Sequence, residues 1–167
     1  MQLPKPLMLF IGCFLLPIVA AVAVLYSGWL PGHQSNQGRL MSEQVELSDW
    51  QQYPPSPWTI ALVNTEPCQG CAQQWQDLQS LYVALGKNKD KVRIAVLGEA
   101  APKAQDMPSI HINRAPAQLN AGSLYLIDHH GLVVLEYDFA PQADANRLVH
   151  KGLLKDLKKL LNYARSS

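Results

Sequence analysis

From Leu7 to Leu30 the chain runs for 24 residues without a charged side chain. The run includes Phe10, Ile11, Phe14, Leu15, Leu16, Ile18, Val19, Val22, Val24 and Leu25. A helix rises about 1.5 Å per residue, so a run of this length can cross a hydrocarbon layer of about 30 Å. Pro17 removes one helical hydrogen bond, a loss that membrane helices tolerate. Tyr26 and Trp29 fall where an interfacial aromatic belt would sit, and Lys5 with the amino terminus makes the leading segment positive. These features predict a membrane anchor over residues 1–31 with a short cytoplasmic lead. Two other readings use the same residues. Ala21-Val22-Ala23 has the form of a signal-peptide cleavage site, but the apolar run continues past it through Val24, Leu25 and Trp29. Cys13, after Phe10-Ile11-Gly12, invites a lipoprotein reading, yet most of the run follows it; it reads as a small apolar filler.

Composition then narrows the remainder. The 167 residues are 48% hydrophobic and 16% charged, with a formal net charge of +1. No positive excess is available to hold nucleic acid by counterion release, and the chain is too apolar for a disordered one. Three cysteines are too few for a disulfide-built scaffold. One domain of ordinary size is expected beyond the anchor. It carries Cys68 and Cys71, which an oxidising compartment such as a bacterial periplasm would allow to pair.

Residues 32–57 are polar and turn-rich, with Gly32, Gly38, Pro54, Pro55 and Pro57, and read as a tether and entry segment. A domain over 58–167 follows. Trp58–Val63 is an apolar run of buried-strand length. Trp75, Leu78, Leu81, Tyr82 and Leu85 recur at helical spacing from Cys71 onward, and Gly86 ends that helix. Val92–Leu97 reads as a half-exposed strand. Residues 99–120 are expected to be irregular, because Pro102, Pro108 and Pro116 forbid a long helix. Leu124–Ile127 and Leu132–Tyr137 form a hairpin across Asp128-His129-His130-Gly131. Leu148, Val149, Leu153, Leu154, Leu157, Leu160 and Leu161 line one face of a terminal helix, with Lys151, Lys155, Lys158 and Lys159 on its solvated side. The strand–helix–strand start implies a right-handed crossover and parallel pairing. The predicted class is α/β, with helices against a central sheet.

Cys68-Gln69-Gly70-Cys71 is the tetrapeptide with the most chemistry in it. At a helix start the first sulfur would face unpaired N–H groups and the positive end of the helix dipole. Both favour the thiolate, which attacks disulfides and binds soft metals; Glu66 opposes it by like-charge repulsion. Half a zinc site is an alternative, with His111, His129, His130 and His150 as candidates but no recognised spacing. A purely structural disulfide is another, although so short a loop adds little stability.

These residues, in this order, resemble the Sco/SenC family of membrane-anchored, thioredoxin-like proteins that help to assemble the copper centre of cytochrome c oxidase. The resemblance rests on the anchor and on Asn36-Gln37-Gly38-Arg39-Leu40. It continues through the cysteines, Leu85-Gly86-Lys87, Leu124-Tyr125-Leu126-Ile127-Asp128 and Lys155–Leu161. It implies a thioredoxin-like fold and a single pass through a bacterial inner membrane, with the domain in the periplasm. The implied partner is a cytochrome c oxidase subunit or a copper carrier. Cys68 and Cys71 would exchange thiol and disulfide, Cys68 attacking and Cys71 resolving, or hold Cu(I) transiently. The chain departs from the family in two places. Its cysteines are separated by two residues instead of three, and Asn120 stands five before Tyr125, where the copper-binding members carry a histidine. His111 is then the remaining candidate for a third ligand, with Met41 and Met107 as soft donors or plain filler. Thioredoxin-like reductases place a cis-proline where this chain has Asn120-Ala121-Gly122-Ser123. A general periplasmic thiol-disulfide oxidoreductase serving cytochrome c maturation and a non-catalytic binding protein stay open beside the main reading.

Overall fold

The computed structural model describes residues 5–27, 36–64, 70–99, 107–139 and 142–163. The chain divides into two units, residues 1–35 and 36–167. In the first, helix α1 covers Lys5–Ser27 and contains Pro17. Its apolar side chains, Phe10, Phe14, Leu16 and Val19 among them, are exposed. The expected apolar helix is therefore present. Among the described residues, however, no helix is long and apolar enough to cross a membrane.

In the second unit the strands are β1 (Arg39–Leu40), β2 (Trp58–Val63), β3 (Val92–Leu97), β4 (Ser109–Ile112), β5 (Leu124–Asp128) and β6 (Val133–Tyr137). Helix α2 spans Cys71–Ala84 and α3 spans Ala143–Tyr163. Among the described residues the strands form one six-stranded sheet in the order β1-β6-β5-β2-β3-β4. β2 pairs in parallel with β3, as the strand–helix–strand start predicts, and antiparallel with β5. The expected hairpin joins β5 and β6, with a register shift between Leu126 and Ile127.

Alternate residues of the central strands feed two cores, because side chains of a strand point to opposite faces in turn. On one face Ile60, Leu62, Ile94, Val96, Leu124 and Leu126 meet Trp75, Leu78 and Leu81 of α2 and Leu153, Leu157 and Leu161 of α3. On the other, Ala61, Val63, Ala95, Leu97, Tyr125 and Ile127 are covered by Val45, Leu47, Trp50 and Leu119. Burying each large apolar side chain contributes about 1.5–3 kcal/mol, so both layers are needed to hold the sheet.

That second layer accounts for three departures from the sequence-based expectations. Residues 36–57 are more than an entry segment: β1 pairs with β6, and Glu46 bridges to Leu132. β3 is not half-exposed, since every residue but Arg93 is buried. The supposedly irregular stretch before β5 contains β4, parallel to β3. On α3, Leu148 is exposed instead of lining the core.

The entry is fastened to the last helix. Asp156, buried on α3, accepts hydrogen bonds at Oδ2 from the backbone N–H of Gln37 (2.6 Å) and Gly38 (3.0 Å) and from the Tyr137 hydroxyl (2.9 Å).

Candidate functional site

β2 carries the chain to Val63 and then to Asn64, which is buried, at the carboxyl end of the sheet. Cys68 lies outside the described residues, as do Thr65, Glu66, Pro67 and Gln69. The description resumes at Gly70, the N-cap of α2, with φ 88° and no side-chain cap hydrogen bond. Glycine suits that position because a positive φ strains other residues. Cys71 is the first residue of α2, and its side chain lies outside the described residues. The expected strand before the cysteine motif and the helix start at Cys71 are therefore present, and the turn between them lies outside the described residues. The uncapped amide groups of a first helical turn favour negative charge beside them.

Three further segments converge on this end. The Gly122 N–H donates to the Val63 carbonyl at 2.7 Å, and the Val63 N–H donates to that of Ser123 at 3.2 Å, so the loop before β5 lies against the end of β2. A Cβ on Gly122 would stand 3.0 Å from Gln74 Nε2, in the first turns of α2. From the other side the Asn64 N–H donates to the Leu97 carbonyl at 2.8 Å. Gly98 follows at φ 112°, packed so closely on the Asn64 carbonyl that no side chain fits. β4 closes the edge, its Ile112 carbonyl accepting from the Gly98 N–H at 2.8 Å. Asn64 Oδ1, Gln74 Oε1 and Trp75 Nε1 are buried without a hydrogen-bond partner among the described residues.

Behind the 120–123 loop lies a charged network that sequence reasoning missed. Glu136, 7% exposed on β6, accepts from Arg39 Nη2 (2.7 Å), Asn120 Nδ2 (2.7 Å) and the Tyr125 hydroxyl (2.8 Å). The Tyr125 oxygen in turn accepts from the Asn120 N–H at 2.7 Å. Burial opposes ionisation of Glu136, but the hydrogen bonds from Arg39, Asn120 and Tyr125, with the Arg39 charge, outweigh it and hold the carboxyl below its usual range. Burial, and next to it the carboxylate, push the Tyr125 hydroxyl up to about 12. The available signal was an acid standing alone in the apolar run Leu132–Tyr137.

A family model described as transmembrane-like, thioredoxin-like, C-terminal domain matches residues 58–164. The chain belongs to that family. No curated protein matches it in sequence. Among solved structures, this thioredoxin-like chain is similar to a SCO1/SenC family lipoprotein from Bacillus anthracis str. Ames. The two share 15% identity at a TM-score of 0.47, over 71% of this chain and 94% of that one. BsSco, of the Sco family of cytochrome c oxidase assembly proteins, gives 12% identity and a TM-score of 0.46 over 75% and 96%. A DsbF homologue from Corynebacterium diphtheriae gives 17% and 0.40 over 80% and 95%. These likenesses are too distant to carry function.

The other candidates on this thioredoxin-like domain are spread out. His111 sits on β4 at the same end of the sheet as the α2 start, with Nε2 2.7 Å from the Gly98 carbonyl oxygen. Donating Nε2–H there would leave Nδ1 with the lone pair. His129 and His130 are exposed in the β5–β6 turn, their rings 3.8 Å apart. Asp128 pairs with Trp58 at the start of β2, so that turn is at the end of the sheet away from the cysteine motif. His150 packs edge-on against Phe139 at 5.6 Å. Met107 is buried in one core and Met41 packs against the other, as filler. Among the described residues no group of three His, Cys, Asp or Glu side chains could hold a metal. The amide of Asn120 is already committed to Glu136.

Proposed function

We propose that this chain is a membrane-anchored thiol-disulfide exchange protein acting through Cys68 and Cys71. The observation that carries the reading is the start of α2. The helix begins at Cys71 behind a glycine N-cap that offers its first-turn amides no side-chain partner. A Cys68 thiolate there would be stabilised by those amides and by the helix dipole. It would attack one sulfur of a partner's disulfide, forming a mixed disulfide and releasing the partner's other sulfur as a thiolate. The Cys71 thiolate would then attack Cys68 Sγ, close the Cys68–Cys71 disulfide and release the second partner thiol. The partner disulfide gains two electrons and the protein dithiol loses them; a dithiol donor resets the pair.

The resemblance to Sco/SenC proteins supports a partner in cytochrome c oxidase assembly, either an oxidase subunit or a copper carrier. Copper would be cargo here. Asn120 is tied to Glu136, whereas His111, with Nε2 on the Gly98 carbonyl, keeps Nδ1 as a donor that could join the two thiolates on Cu(I). The 24-residue uncharged run, read over its full length, supports anchoring in a bacterial inner membrane with the domain in the periplasm.

Insulin reduction by the full chain with a dithiol donor tests the chemistry. Turnover is expected in the wild type, with a trapped mixed disulfide in Cys71→Ser and silence in Cys68→Ser. An unchanged thiol state across a glutathione titration would overturn the reading. Silence together with stoichiometric Cu(I) binding would replace it with a copper chaperone. Oxidase assembly that survives the double serine variant would leave a binding protein.

A further inference from the structure

α2 and α3 lie side by side on one face of the sheet, and between them runs a cleft of about 580 Å³. Its floor is apolar, formed by Leu81, Ala84 and Leu154, and its rim carries Arg147, Lys151, Lys155 and Lys158. Steps of four, four and three residues keep those four cations on one side of α3. Lys158 also borders a second hollow of about 390 Å³, whose lining includes Lys87 and Lys91, so the basic rim continues past the end of α2.

The whole chain has 14 basic and 13 acidic residues, so six cations on one surface represent a segregation of charge, not an excess. The acids nearby do little to cancel it. Asp144 lies 3.7 Å from Arg147, with both side chains exposed. Asp77 on α2 acts on His150, and Asp90 is exposed in the turn after α2. Asp156 is buried and bonded to the entry segment and Tyr137. Lys151, Lys155 and Lys158 form no salt bridge among the described residues.

We infer that this face docks on an anionic lipid bilayer. Cations over an apolar trough match phosphate headgroups above acyl chains, a pairing that a purely acidic protein surface meets only in half. The bilayer is the favoured occupant because the inference rests on the anchor proposed above. A surface so tethered meets the membrane at high effective concentration, and modest attraction suffices.

The test uses the full chain reconstituted in vesicles of phosphatidylcholine, with or without phosphatidylglycerol, and follows lysine acetylation by mass spectrometry. Labelling of Lys151, Lys155 and Lys158 is expected to slow several-fold in the anionic vesicles and to recover in high salt. In Lys155→Glu, Lys151 and Lys158 should regain the neutral-vesicle rate. Equal labelling in both vesicles overturns the proposal, as does protection that appears only when polyglutamate is added. A chain that washes off neutral vesicles at alkaline pH would overturn the anchor alone. Docking would then be read from salt-sensitive flotation with anionic vesicles, and failure to float would overturn it too.

Discussion

Asn120 donates its side-chain amide to Glu136 at 2.7 Å, and that bond ties the loop in front of β5 to a buried carboxylate on β6. The same carboxylate receives Arg39 from β1, so the edge of the sheet, its hairpin and the loop beside the cysteine motif share one acceptor. A backbone that must stay still against the end of β2 is thus held by charge-assisted hydrogen bonds, which are stronger than neutral ones.

Glu136→Ala should therefore destabilise the domain by about 1–3 kcal/mol, because the Tyr125 hydroxyl loses its acceptor inside the core. The carboxyl is held below its usual value of 4.5, so its contribution is complete above that pH and fades as acidification passes through the lower, folded value. Urea unfolding of wild type and variant should differ at neutral pH and draw together well below pH 4.5. A constant difference would detach the network from stability.

Tyr125 gives the alkaline counterpart. Its hydroxyl is raised from 10.0 to about 12, so the stability tied to it is intact below pH 10 and is lost as the pH climbs through the folded value. Tyr137 is raised as well, first by burial and then by Asp156. Absorbance titration of the native protein should show two of the six tyrosines ionising only with unfolding. Tyr125→Phe should remove one of these late ionisations.

Gly98→Ala is expected to be severe. The residue has φ 112°, and a Cβ would strike the Asn64 carbonyl. Strain of this kind costs about 1–3 kcal/mol before any clash is counted. The collision falls on the residue that follows β2, so thiol exchange should weaken along with thermal stability. An alanine variant with native melting and native exchange would contradict the packing described.

The long periodic elements were legible from the amino acids. β2, α2, the β5–β6 hairpin and the core of α3 each carry enough apolar residues at the right spacing to declare themselves. β4 did not, because four residues with alternating exposure, set among prolines, give too short a signal. The burial of Val45, Leu47 and Trp50 went unread although Val45 and Leu47 stand two residues apart, since their partners on the sheet lie far along the chain. Glu136 was visible as an odd acid in an apolar strand, but Arg39 is 97 positions away and nothing local links the two. The cysteine motif was read from spacing, and the structure supplies the strand end and helix start around it.

The fastening of Gln37 and Gly38 by Asp156 has a consequence for biosynthesis. The carboxylate is made 118 residues after the glycine that it grips. A growing polypeptide cannot complete this latch until nearly all of the domain has left the ribosome. Closure late in synthesis leaves the segment beyond the apolar helix threadable for most of that time, a state compatible with passage through a translocation channel.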